Sequence, residues 1–115
     1  MGQSSLEEDI AYTLHGNAII KSRVGDRVRT DKSIVELPDI VVSATASDNR
    51  NTQVTLTCRA ATANEADRVG AAVITALEPQ HPHSRARTWI TIQDRSGYDA
   101  SVKAFRRIIS LEPKP

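Results

Sequence analysis

The residues best equipped for chemistry in this chain are Cys58, three histidines and a group of arginines towards the C-terminus. His81-Pro82-His83 sets two imidazoles close enough to share a metal ion. A metal site needs three or four ligands with supporting partners, however, and neither a cysteine nor the third histidine lies nearby in sequence. A solvated loop is the plainer reading. Cys58, taken with His15 and an aspartate, has the residue types of a nucleophile and its base. Yet Cys58 falls on the apolar side of an alternating run, where a buried thiol is inert. The chain has no Gly-x-Ser-x-Gly elbow, phosphate-binding loop, dinucleotide fingerprint or His-Glu-x-x-His pair. It therefore reads as a protein that is not an enzyme, with no catalytic residue, no metal ligand set and no cofactor.

Arg85, Arg87, Arg95, Arg106 and Arg107 make the C-terminal third locally basic, and they flank segments that also carry Trp89 and Tyr98. Three readings fit. Such a cluster suits nucleic-acid phosphates; it forms a mixed solvent face balanced by Asp94, Asp99 and Glu112; or it pairs with acids of another subunit, since arginine is favoured at interfaces. The whole-chain balance of 15 Lys and Arg against 14 Asp and Glu leaves a net charge of +1. Bulk charge thus gives no drive towards nucleic acid or membrane. An aromatic content of 3% weakens any base-stacking role.

The elements that position these residues follow from the hydrophobic spacing. At 115 residues the chain is long enough for one small domain. A single cysteine excludes an internal disulfide and a cysteine-rich zinc site, and a reducing compartment is expected. The start, "MGQSSLEED", lacks the basic and apolar regions of a secretory signal and has Leu6 where a myristoylation motif needs Ser or Thr. No stretch approaches the roughly 18 apolar residues of a membrane span.

Ser5 and Glu8 have capping-box spacing, and Leu6, Ile10 and Leu14 share a helical face, which predicts a first helix from Leu6 to Ile20. Val24-Gly25-Asp26-Arg27-Val28 reads as a turn entering an extended piece. Leu37-Pro38 then opens a strand in which Ile40, Val42, Ala44 and Ala46 face one way. After the polar turn Ser47 to Asn51, Val54, Leu56, Cys58 and Ala60 alternate with Thr55, Thr57 and Arg59, completing a hairpin. Thr62 and Glu65 cap a second helix, Ala63 to Glu78, with an apolar stripe of Ala66, Val69, Val73, Ala76 and Leu77; Pro79 ends it. "TWITIQ" alternates as a strand, and "DRSGYD", Asp94 to Asp99, reads as a turn with a left-handed Gly97. The last strand, Ser101 to Glu112, is apolar on both faces: Val102, Ala104 and Ile108 on one, Phe105, Ile109 and Leu111 on the other. Two helices suffice for one side of a sheet of four or five strands. A second chain is then the expected cover for the other side, although a few exposed apolar residues are also normal on a monomer.

The order helix, Gly-x-Arg turn, Leu-Pro strand, hairpin, capped helix and two closing strands resembles the tail terminator (tail completion) proteins of long-tailed bacteriophages. The pieces that carry the resemblance are "VGDRV", "LPDIVV", "ATANEADRVGAAVITAL" and "DRSGYDASVKAFRRIISLE", which together span Leu6 to Glu112. The resemblance implies an α+β fold with a small mixed or antiparallel sheet covered on one face by two helices. It also implies a structural virion protein of the tail-neck region, made in the host cytoplasm. Six copies would form a ring on the last tail-tube ring, stop tube growth and offer a surface to the head completion or connector protein. DNA would be met only as it passes through the ring, and no membrane is involved. On this reading Arg27 and Arg29 contact a neighbouring subunit or the tube. Trp89, Phe105, Arg106, Arg107 and Ile109 are expected on strand faces that the helices leave open. A different neck or head-tail connector protein, and a small monomeric binding or regulatory module, are the alternatives.

Overall fold

The computed structural model describes residues 10–30, 33, 35–46, 52–77 and 89–113. Helix α1 covers residues 10–15 and is followed by α2 (Ala18–Val24), β1 (Val28–Arg29), β2 (Asp39–Ala46), β3 (Thr52–Ala60), α3 (Ala63–Leu77), β4 (Trp89–Asp99) and β5 (Ala104–Pro113). The strands form one five-stranded sheet in the order β1-β2-β3-β5-β4. β1 runs parallel to β2 and every other pair is antiparallel, so the α+β class expected from sequence is met by a mixed sheet with three helices.

The expected first helix is broken in two. Gly16 and Asn17 end α1, and the Asn17 side chain accepts from the amides of Ile19 and Ile20, both at 3.0 Å, as the N-cap of α2. The break has a packing reason. A continuous helix would carry the face of Ile10 and Leu14 on to Asn17 and Lys21. The interruption resets the phase so that Ile20 and Val24 point inward instead, and all four apolar residues are buried.

Gly25 closes α2 with φ 62°, a left-handed conformation that glycine adopts without steric cost, and its amide donates to the Lys21 carbonyl at 2.9 Å. The Arg27 amide then donates to Val24 O, and Arg27 O accepts from the Ile40 amide at 2.9 Å, which aligns β1 beside β2. The Leu37-Pro38 peptide is cis.

The hairpin of β2 and β3 pairs Ile40 with Cys58 and Val42 with Leu56, and β5 continues the rows with Ile109 beside Leu56 and Leu111 beside Val54. These residues face the helices. α3 lies over β3 and β5, and α2 packs beside α3. Thr62 caps α3 by accepting from the Glu65 amide at 3.2 Å, and Ala66, Val69, Gly70, Val73 and Leu77 form its buried stripe. The core is aliphatic throughout, joined by Cys58, which is fully buried. Burial pushes the Cys58 thiol up to about 12, so it is a packing residue and not a nucleophile.

One expected boundary moves. The segment "DRSGYD" is strand, not turn: β4 continues through it, with Arg95 opposite Ile108 and Gly97 opposite Arg106. The polar residues that suggest a turn are cross-strand partners of the β5 arginines. The turn falls at residues 100–103, where Asp99 accepts from both the amide and the hydroxyl of Ser101 and Lys103 takes φ 54°.

Candidate assembly surfaces

Each expected contact residue has a defined place, beginning with the two arginines of the segment that leads into β2. The Arg27 Nε donates to Pro38 O at 2.8 Å. Arg29 donates through Nη1 to Asp39 Oδ2 at 3.2 Å and through Nη2 to Glu36 Oε1 at 2.7 Å. Asp39 is 0% exposed and is also held by Arg59, whose Nε reaches Oδ1 at 2.8 Å while Nη2 bonds Oδ2. The hydrogen bonds to Asp39 raise the Arg59 pKa further. The Arg29 guanidinium thus ties β1, residues 35–38 and β2 together within the chain.

Arg106 and Arg107 leave β5 on opposite faces. Arg107 lies on the helix side, where its Nε and Nη2 grip Asp94 at 2.8 and 2.7 Å and its Nη1 donates to the Asp67 carbonyl at 2.9 Å. The stem of Arg107 passes against Gly70: a Cβ built there would stand 2.5 Å from the Arg107 Cδ. Glycine in mid-helix is thus required by the close approach. The Arg107 guanidinium beside Asp94 holds that carboxyl below the usual range and raises its own pKa. Phe105 is half-buried on the same side as Arg107 and meets Tyr98 edge-on, with ring centroids 4.9 Å apart.

Ile109 corrects the expectation. It is 0% exposed in the chain's own core, because β5 is an interior strand and α3 lies over it, so it offers nothing to a second subunit. The backbone of Trp89 pairs with Pro113 at the start of β4, while its side chain lies outside the described residues. Arg85, Arg87, His81 and His83 also lie outside them.

The face of the sheet away from the helices carries the rows Asp39, Arg59, Arg106 and Val41, Thr57, Ile108. Here Thr55, Thr57, Arg59, Arg95, Arg106 and Ile108 line part of a concavity of about 460 Å³. Its floor of Ile108 and threonine methyls is mixed with guanidinium groups. Arg106 is shared with Asp99 at 3.2 Å and remains 38% exposed at its side chain. The second apolar side of the last strand points to this face from sequence, but nothing local signals that Asp39 and Arg59 neutralise each other there. Those two are twenty residues apart.

Edge strand β4 pairs with β5 alone among the described strands, and residues 91–98 are all exposed. Sequence reasoning misses this edge because it divides β4 at Asp94. Among the described residues no group of three or more His, Cys, Asp or Glu side chains could hold a metal ion, and no helix is long and apolar enough to cross a membrane. Arg29, Arg59, Arg106 and Arg107 each pair with an aspartate within the chain.

No family model matches the chain, and no curated protein matches it. A solved chain from a structure described as "Virion of native gene transfer agent (GTA) particle" shares the fold with a TM-score of 0.65 at 15% identity. The correspondence covers 97% of this chain and 96% of that chain. At this identity the likeness is one of fold.

Proposed function

We propose that this chain is a structural virion protein that assembles as a ring on the end of a phage tail tube, ends tube growth and presents the surface to which the head is joined. The observation that supports the reading is the end-to-end correspondence of its fold with a chain of a virion particle, with almost no unmatched residues on either side. The sequence resemblance to tail terminators supports the finer role, and the ring is proposed to be a hexamer. The surfaces fit a protein that builds rather than catalyses, since Arg29, Arg59 and Arg107 are paired with aspartates within the chain and what remains open is a sheet face and a sheet edge. Arg106, on the open face and partly exposed, is the expected contact residue best placed to meet a partner.

The test uses the tail-tube protein of the same phage. Tubes grown with and without this protein are measured by electron microscopy, with the protein gold-labelled. A terminator shortens the tubes and labels one end of each. Unchanged tube lengths with no end label overturn the reading, and label on the purified head connector alone assigns the protein to another neck position.

A further inference from the structure

Of the five large apolar side chains exposed among the described residues, all but Tyr12 on α1 lie at the two opposite ends of the sheet. At the β4 end are Ile92, 39% exposed, and Tyr98, 53% exposed. At the β1 end are Ile19 on α2, 55% exposed, and Val35, 39% exposed, next to the Glu36 that Arg29 of β1 holds. α2 runs into β1 through the short Gly25 turn, so its surface belongs to that end. Four inter-strand spacings, roughly 19 Å, separate the two edges. Single exposed apolar residues need no explanation. Their coincidence with an open edge does.

β4 is eleven residues long and has one strand neighbour, so its outer row of N–H and C=O groups is unpaired among the described residues. Such an edge is a template for another chain. A two-fold contact of β4 with itself is disfavoured. In a continuous sheet, directly opposed residues share a face, and a pairing centred on the exposed stretch sets Asp94 against Asp94 or Arg95 against Arg95. The β1 end is a better match. It exposes Asp26, which like Arg95 makes no ion pair among the described residues, while Glu36 there is already held by Arg29.

We infer that the β4 edge of one copy seats against the α2 and β1 end of a second copy, in a head-to-tail contact that uses a different surface on each partner. A contact of this kind leaves one free end of each sort after every addition, so it closes into a ring when the rotation allows. The inference rests on the ring reading and supplies its interface.

The experiment uses two double variants, each altering exposed side chains at one end: Ile92→Lys with Tyr98→Lys, and Ile19→Lys with Val35→Lys. Each, alone, is expected to weaken self-association by about a hundredfold relative to wild type in sedimentation velocity, as loss of two apolar anchors would. Mixed together they should give a 1:1 heterodimer and nothing larger, because only one good edge and one good end remain. Thermal melts check that each variant is folded, and serine replaces lysine at the same positions if a lysine pair melts early. If the Ile19 and Val35 variant dimerises alone and mixing adds nothing, the contact is β4 with β4 and the inference fails. If both variants assemble as wild type does, the contact lies elsewhere and the inference fails while the ring reading stands. A wild-type protein that stays monomeric throughout the concentration series overturns the contact, and the tube-length assay then judges the ring reading separately.

Discussion

Replacing Gly70 with alanine should reverse its effect on stability according to what stands at position 107. In an ordinary helix interior the change stabilises by about 1 kcal/mol, because glycine has more backbone freedom to lose. Here the new Cβ would lie 2.5 Å from the Arg107 Cδ and 3.1 Å from its Nε. The stem cannot swing aside freely. Its guanidinium is fixed by two bonds to Asp94 and one to the Asp67 carbonyl. Moving it sacrifices charge-assisted hydrogen bonds worth about 1.5–3 kcal/mol each when well formed, a value to be reduced because Arg107 and Asp94 keep side-chain exposures of 19% and 35%. The steric and hydrogen-bond loss outweighs the propensity gain, and Gly70→Ala should destabilise by about 1–2 kcal/mol in the wild-type background. In an Arg107→Ala background the obstruction is gone, and the same change should stabilise by about 1 kcal/mol. Urea denaturation of the four proteins of this cycle, under dilute conditions, measures both signs. A stabilising Gly70→Ala in the presence of Arg107, or an equal cost in both backgrounds, would refute the close approach as the reason for glycine.

Asp39→Asn should cost about 3–5 kcal/mol in denaturant unfolding, because it leaves the almost fully buried Arg59 facing a neutral amide. Arg59→Ala should cost more than Arg29→Ala, whose side chain is 18% exposed; the reverse order would contradict the placement. For Asp94, the folded-state pKa is depressed by Arg107 below its ordinary 3.8. Its contribution is therefore full above the unfolded pKa and lost as pH falls through the folded one. Acid titration of stability should show a loss in wild type below about pH 4 that is smaller in Arg107→Ala; parallel curves would sink this assignment.

Local signals in the sequence locate most of the fold. The spacing of Val69, Val73 and Leu77 and the Thr62 cap place α3 to within a residue, and alternation sets both faces of the β2 and β3 hairpin. What escapes is decided at long range. Asn17 interrupts the first helix because Ile20 and Val24, rather than Lys21, must meet the core. Asp94 and Ser96 look like turn residues until Arg107, thirteen residues from Asp94, is seen beside it. Ile109 reads as surface only if its strand face is open, whereas that face is the one the helices cover. Of the arginines, neither the pairing of Arg29 and Arg59 on one aspartate nor the opposed directions of Arg106 and Arg107 can be foreseen without the register.

Arg107 also makes the molecule stiff in a particular direction. It grows from an interior strand, spans the gap beneath α3 and fastens both the helix backbone at Asp67 and the edge strand at Asp94. A pull on the outer strand therefore travels sideways through one guanidinium into the helical layer as well as along the β4 and β5 hydrogen bonds. Helix and edge are thereby coupled, so the set of the outer strand depends on how the helix lies over the sheet as well as on its own strand pairing.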